Sequence, residues 1–145
     1  MGGSRVLVDT NILVYSTVRS CPRFHEARAW LDRILKRGDS LVITPQVIRE
    51  YLVVLTRGEV FTETFTVDQV LREVEAILKT VSVLDETVEV AEQLRVLVRK
   101  HNVRGKNVHD ANLVAVMLTH GMQRLATYNT ADFKRFTEII MEPTP

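Results

Sequence analysis

Short apolar runs of strand length alternate with longer segments whose apolar residues recur at helical spacing, and that alternation limits the fold most. Strands that alternate with helices build an α/β layer fold around a parallel sheet. Residues 5–8 read as a buried strand that stops at Asp9. Phe24, Ala27, Leu31, Ile34 and Leu35 keep helical spacing, and Gly38 supplies a C-terminal stop. Residues 41–43 read as a second strand. Thr44 then serves as N-cap and Pro45 as first helical residue, so a helix should run through Glu50 to about Leu55. Residues 58–65 form a connection. Thr66 and Gln69 have capping-box spacing ahead of Val67, Val70, Leu71, Val74, Ile77 and Leu78. A third strand falls at 81–84, and Val88, Ala91, Leu94 and Leu97 mark the next helix. After a basic loop at 101–105, Asn107 is expected to cap a helix over 111–118. That helix is apolar nearly all round and therefore buried, with Gly121 as its end. A fourth strand is expected at 125–127 and an edge strand at 138–141.

The 145 residues fit one domain spanning 1–145, with no repeat, low-complexity stretch or linker. At 46% hydrophobic and 26% charged, the composition is that of a globular chain with enough apolar surface for a core. The longest unbroken apolar run, residues 113–118, is far too short to span a bilayer. The first apolar run meets Asp9 after three residues, which is not a signal peptide. Cys21 is the lone cysteine, so no internal disulfide forms, and a reducing cytoplasmic location without a membrane partner is expected. The net charge of +1 does not by itself announce a nucleic-acid binder. Set four particular acids aside, however, and the rest of the chain is mildly basic, which suits a polyanionic substrate.

Those acids are Asp9, Glu50, Asp110 and Asp132. Asp9 directly follows the first strand, Asp110 sits in the first turn of the buried helix, and Asp132 follows the fourth strand. Glu50 lies one to two turns into the helix after the second strand. Each has a plain structural reading. Asp9 and Asp132 suit turns, Asp110 complements a helix dipole, and Glu50 suits a solvated helix face. As a set they gain a second meaning, because open parallel sheets bind ligands beyond the carboxyl ends of their strands. Carboxylates crowded there repel one another and call for a cation. An all-oxygen set of this kind suits Mg²⁺ or Mn²⁺.

The wording around each acid resembles the PIN-domain family, and within it the VapC-like ribonuclease toxins of prokaryotic toxin–antitoxin pairs. Val6-Leu7-Val8-Asp9-Thr10-Asn11-Ile12-Leu13-Val14-Tyr15 is an apolar strand, an Asp-Thr-Asn and a helix start. Val47-Ile48-Arg49-Glu50-Tyr51-Leu52 places an acid on the second helix. Val108-His109-Asp110-Ala111-Asn112-Leu113 looks like the Asp-Ala motif of a buried helix. Leu125-Ala126-Thr127-Tyr128-Asn129-Thr130-Ala131-Asp132-Phe133 is similar to the family's Thr-x-Asn-x-x-Asp-Phe ending. The resemblance runs from Arg5 to about Met141.

It implies a PIN-like three-layer α/β/α fold with a central, mostly parallel sheet of four to five strands. It also implies that Asp9, Glu50, Asp110 and Asp132 are the catalytic and metal-binding acids. Asn129 stands where relatives carry Asn or Asp, leaving open whether it or Asp132 is the closer fourth ligand. Thr127 would bond Asp9 or the scissile phosphate, and Asn11 would support the first acid; turn and cap chemistry is the alternative for both. Arg104 and Lys106, just before Asp110, would meet substrate phosphates, and Tyr128 is the best-placed aromatic for a base. The implied reaction is phosphodiester hydrolysis of RNA by cation-activated water. The implied partners are a cognate antitoxin protein and a second copy of the chain. Two readings remain beside it: a DNA structure-specific nuclease, and a PIN-fold scaffold or RNA-binding protein without catalysis. A receiver-like phosphoacceptor is disfavoured, because Asp9 has no acidic neighbour.

Overall fold

The computed structural model describes residues 3–145. β1 (Arg5–Val8) lies at the centre, because Val6, Leu7 and Val8 have apolar cover on both faces and are fully buried. Strands covered on both sides read as unbroken apolar runs rather than alternating ones. β1 leads into α1 (Thr10–Thr17) and α2 (Phe24–Lys36), and the chain returns as β2 (Ser40–Ile43). α3 (Pro45–Thr56) and α4 (Val67–Leu78) carry it to β3 (Ser82–Val83). α5 (Val88–His101) and α6 (Asn107–Thr119) then cross back to β4 (Arg124–Ala126). α7 (Thr130–Phe133) and β5 (Ile140–Met141) follow.

The sheet order is β3-β2-β1-β4-β5, parallel throughout. β1 pairs with β2 on one side (Leu7 opposite Val42) and with β4 on the other (Leu7 opposite Leu125). The chain therefore winds outward from β1 in one direction and then restarts on its far side. Helices on both faces complete three α/β/α layers: α1 packs on α2 and α3, α3 on α4, and α5 on α6. α6 is the most buried helix, with Ala111 and Leu113 to Met117 out of solvent, and Gly121 ends it at a positive φ of 68°. Leu7 is fully enclosed, so Leu7→Ala would cost about 2–5 kcal/mol. Among the described residues no helix is long and apolar enough to cross a membrane.

The expected strands and helices all occur, with shifted ends. Thr44 and Thr66 cap as expected, and Thr66 with Gln69 makes a complete capping box. Asn107 does not cap α6; it is the helix's first residue. A turn over residues 104–106 already supplies backbone acceptors, since the N–H groups of Asn107, Val108 and His109 donate to the carbonyls of Arg104, Gly105 and Lys106. The Asn107 side chain is thereby freed and donates to Asp110 at 3.1 Å. Residues 130–133, expected as a turn, form the single-turn α7. Cys21 is buried in the core.

Candidate active site

The two directions of winding part between β1 and β4, and the crevice opens beyond the carboxyl ends of these strands, the usual ligand position in such sheets. Asp9 sits there, 6% exposed, as the N-cap of α1. Its Oδ1 accepts the Thr10 N–H at 2.8 Å. Its Oδ2 accepts the Thr127 hydroxyl at 2.7 Å and the Asn11 amide at 3.2 Å. Thr127, buried just past β4, accepts the Asn129 N–H at 2.9 Å, while Asn11 Oδ1 accepts the Tyr128 N–H at 3.2 Å. These bonds stitch the ends of β1 and β4 together and leave the Asp9 carboxylate little freedom to turn.

Asp9, Glu50, Asp110 and Asn129 line one crevice of about 310 Å³, together with Thr10 and Asn11. Val14, Tyr15 and Val54 give it an apolar wall. Glu50 comes from the second turn of α3, and its Oε1 accepts the Thr10 hydroxyl at 2.9 Å. Asp110 projects from the first turn of α6, half-buried. Asp132, on α7, is exposed and does not line the crevice, yet its charge acts on Asp110. Arg104 and Lys106 are exposed on the turn before α6 and make no ion pair among the described residues. Lys100 and His101 turn elsewhere, to Glu138 at 2.9 and 3.0 Å.

The electrostatics follow from this crowding. Burial pushes the Asp9 carboxyl up to about 6; hydrogen bonds from Thr127 and Thr10 oppose the rise, and the charges of Glu50 and Asp110 add to it. Burial likewise raises Asp110, against the Asn107 hydrogen bond, with Asp132 and Glu50 adding repulsion. Among the described residues no three acids, histidines or cysteines close on a single point. An ion of the Mg²⁺ type does not require such a cluster, because it keeps several waters and takes one or two carboxylates plus substrate oxygens. The donor set is all oxygen, and Asp9 and Asp110 are each raised in part by acidic neighbours, so the residues present fit a divalent cation. A wider groove of about 540 Å³ along α5, lined by Glu92, Arg95, Val96, Arg99 and Lys100, has no comparable convergence.

Three contributors escaped the sequence reading. Thr10 stands inside the Asp-Thr-Asn motif and links Asp9 to Glu50. Gln46, buried, donates to the His109 carbonyl at 2.9 Å and accepts from Asn112 at 2.8 Å, tying α3 to the start of α6. Its spacing of four from Glu50 puts both on one helix stripe, which was the available clue. Tyr15 is the third. Tyr128, the expected base platform, is half-buried and contacts Tyr15, Trp30 and the Arg23 guanidinium, and its hydroxyl donates to Glu26.

An acid-lined crevice at the switch point of a parallel three-layer sheet defines a class of α/β domain with its ligand position beyond the strand ends. The PIN-domain pattern matches residues 6–139, and the chain belongs to the PIN-domain family. No curated protein sequence matches it. Among solved structures, the fold is similar to VapBC2 from Rickettsia felis bound to a promoter DNA fragment. That pair has a TM-score of 0.69 and 16% identity, covering 95% of this chain and 97% of that one. It is also similar to VapC20 of Mycobacterium tuberculosis, described as a sarcin–ricin loop cleaving toxin (TM-score 0.67, 18% identity, 90% and 95% covered). A toxin–antitoxin complex from Klebsiella pneumoniae gives a TM-score of 0.65 at 22% identity, with 93% and 95% covered.

Proposed function

We propose that the chain is a divalent-metal-dependent endoribonuclease and the toxin of a toxin–antitoxin pair. The observation that carries this reading is the buried Asp9 carboxylate, which shares one crevice with Glu50 and Asp110 at the end of β1 and has no cationic side chain bonded to it among the described residues. Asp9, Glu50 and Asp110 would hold Mg²⁺ or Mn²⁺, with Asp132 at the rim and Asn129 lining the crevice as alternative fourth ligands. When bound, such an ion supplies Lewis acidity and charge neutralisation to the phosphodiester. Thr127 and Asn11 orient Asp9 through their hydrogen bonds to Oδ2. Thr10 holds Asp9 and Glu50 at a fixed separation. Arg104 and Lys106 contribute positive charge that draws the RNA backbone toward the start of α6. The VapBC and toxin–antitoxin structures similar in fold support a cognate antitoxin as partner. A homodimer in the cytoplasm completes the reading, for which the unpaired Cys21 is suited.

The test is incubation of the purified protein with total RNA and Mg²⁺ or Mn²⁺, beside EDTA and an Asp9→Asn variant. Cleavage that needs the metal and vanishes in Asp9→Asn is the expected result. Cleavage that persists in EDTA, or in Asp9→Asn, would overturn the metal-dependent reading. A protein that neither cuts RNA nor binds the ions returns the chain to the non-catalytic scaffold.

A further inference from the structure

The connection between α3 and α4 carries a feature the acid crevice does not use. Val60 and Glu63 exchange backbone hydrogen bonds at 2.7 and 3.0 Å around a tight two-residue turn. Its first turn residue is Phe61 at φ 53°, a region where a bulky side chain is out of place and glycine is the default. The turn is not loose. The Glu63 carboxylate accepts both the N–H and the hydroxyl of Ser20, at 2.7 and 2.6 Å, and the Ser20 hydroxyl oxygen accepts the Thr62 N–H at 3.2 Å. Val60 anchors it in the core. A rigid turn therefore presents an aromatic ring that remains 44% exposed. An observed backbone outlier on a pinned loop is a reason to look for a function.

Phe61 meets Tyr15 edge-to-face, with ring centroids 5.9 Å apart. A contact of that shape covers at most one face of the phenyl ring. Tyr15 is also a wall of the crevice that Asp9, Glu50 and Asp110 line. Exposed aromatic surface thus begins one side chain away from the acids. Tyr128 also meets Tyr15, at 5.3 Å, and is itself in contact with Trp30 and the Arg23 guanidinium.

We infer that Phe61, braced on Tyr15 at the edge of the acid crevice, is a stacking platform for one unpaired nucleobase of the RNA strand being cut. Every base has a π-face, so such a platform holds a single strand without demanding a sequence. It also selects loops and bulges over paired helices, whose bases are already stacked. The inference rests on the nuclease reading and adds the side chain that would hold a base of its substrate.

The probe is a short single-stranded RNA carrying 2-aminopurine at successive positions, bound to the full chain in Ca²⁺ in place of Mg²⁺. Quenching at one position is expected with the wild-type protein. Phe61→Ala should remove that quenching and weaken binding roughly 10-fold. Phe61→Leu keeps apolar packing without a π-face and should lose the quenching while melting as the wild type does; Phe61→Trp should restore it. Quenching absent from the wild type, or binding unchanged in Phe61→Leu, overturns the platform and leaves the ring as loop packing or as a seat for a protein partner. The two readings fail separately. RNA cleavage with the KM of Phe61→Leu unchanged sinks the platform alone, and quenched binding without any cleavage in Mg²⁺ sinks the nuclease alone.

Discussion

Among the described residues two carboxylates are removed from solvent, and they are treated in opposite ways. Glu142, 2% exposed just after β5, accepts Arg37 at 2.6 Å and Arg124 at 3.0 Å. Burial alone would raise its carboxyl, but hydrogen bonds from Arg37 and then Arg124 outweigh that and hold it below the ordinary glutamate range. Asp9 receives only neutral donors, and its charged neighbours are acids, so it is pushed up to about 6. At Glu142 the cost of burying a charge is offset within the chain. At Asp9 no such offset is seen among the described residues. A buried acid with its own arginines belongs to the scaffold; a buried acid beside other acids is a candidate functional site.

The largest expected effect breaks this symmetry in activity. Asp9→Asn should lower metal-dependent RNA cleavage roughly 100-fold or more, the scale of losing one preorganised electrostatic group. Glu142→Gln should leave the rate within about threefold, because nothing links it to the crevice, yet lower stability by about 1–3 kcal/mol. The lower part of that range is favoured by the partial exposure of Arg37 and Arg124. Denaturant unfolding and cleavage rates on the same two preparations would decide it. A Glu142→Gln protein that is stable but inactive would mean the contrast is misdrawn.

The two carboxylates also differ in how they could be read in advance. Asp9 was legible because it stops an apolar strand and begins Asp-Thr-Asn, and Glu50 and Asp110 because helical phase fixes where a side chain one or two turns in will point. The order of strands and helices was legible for the same reason: periodicity is a local property. Glu142 was not legible. Its partners lie 105 and 18 residues away, and no local pattern announces a cluster assembled by the sheet. The surroundings of Tyr128 were no more legible, since Trp30 and Arg23 reach it from α2 and its leading turn. Asp132 was assigned on its motif, but α7 leaves it exposed beside the crevice rather than in its wall.

Proton and metal linkage sharpen the comparison next. A raised acid stabilises the fold only while protonated, so the Asp9 contribution is complete below about pH 4 and lost as pH rises through about 6. The loss is at most about 3 kcal/mol. The depressed Glu142 has the opposite sign: its contribution holds above the ordinary glutamate range and fades as the acid takes up its proton below it. From Asp9, metal-free protein should therefore lose stability from about pH 4 to about pH 6 and change little above that. At pH 7, Mg²⁺ at about 100 times its dissociation constant should restore about 2.7 kcal/mol. Glu142→Gln should keep that gain, and Asp9→Asn should lose both the gain and the fall in stability between about pH 4 and 6. Thermal melts with and without Mg²⁺ across this range suffice. A flat profile for wild type and Asp9→Asn alike would remove the electrostatic basis for the cation site.

The smallest effect separates position from charge at Asp9 itself. Thr127→Val keeps the shape of the buried side chain but removes the donor to Asp9 Oδ2 and the acceptor for the Asn129 N–H. The expected cost is about 1–2 kcal/mol at pH 7. The lost hydrogen bond was lowering the Asp9 carboxyl, so its titration should move further up, visible in the side-chain carboxyl resonance of Asp9 in metal-free protein. Thr127→Ser retains the hydroxyl and should restore both. If Thr127→Val lowers cleavage while the Asp9 titration stays where it was, the hydroxyl acts on the RNA phosphate rather than on Asp9. That outcome would turn Thr127 from a positioning residue into one that touches the substrate.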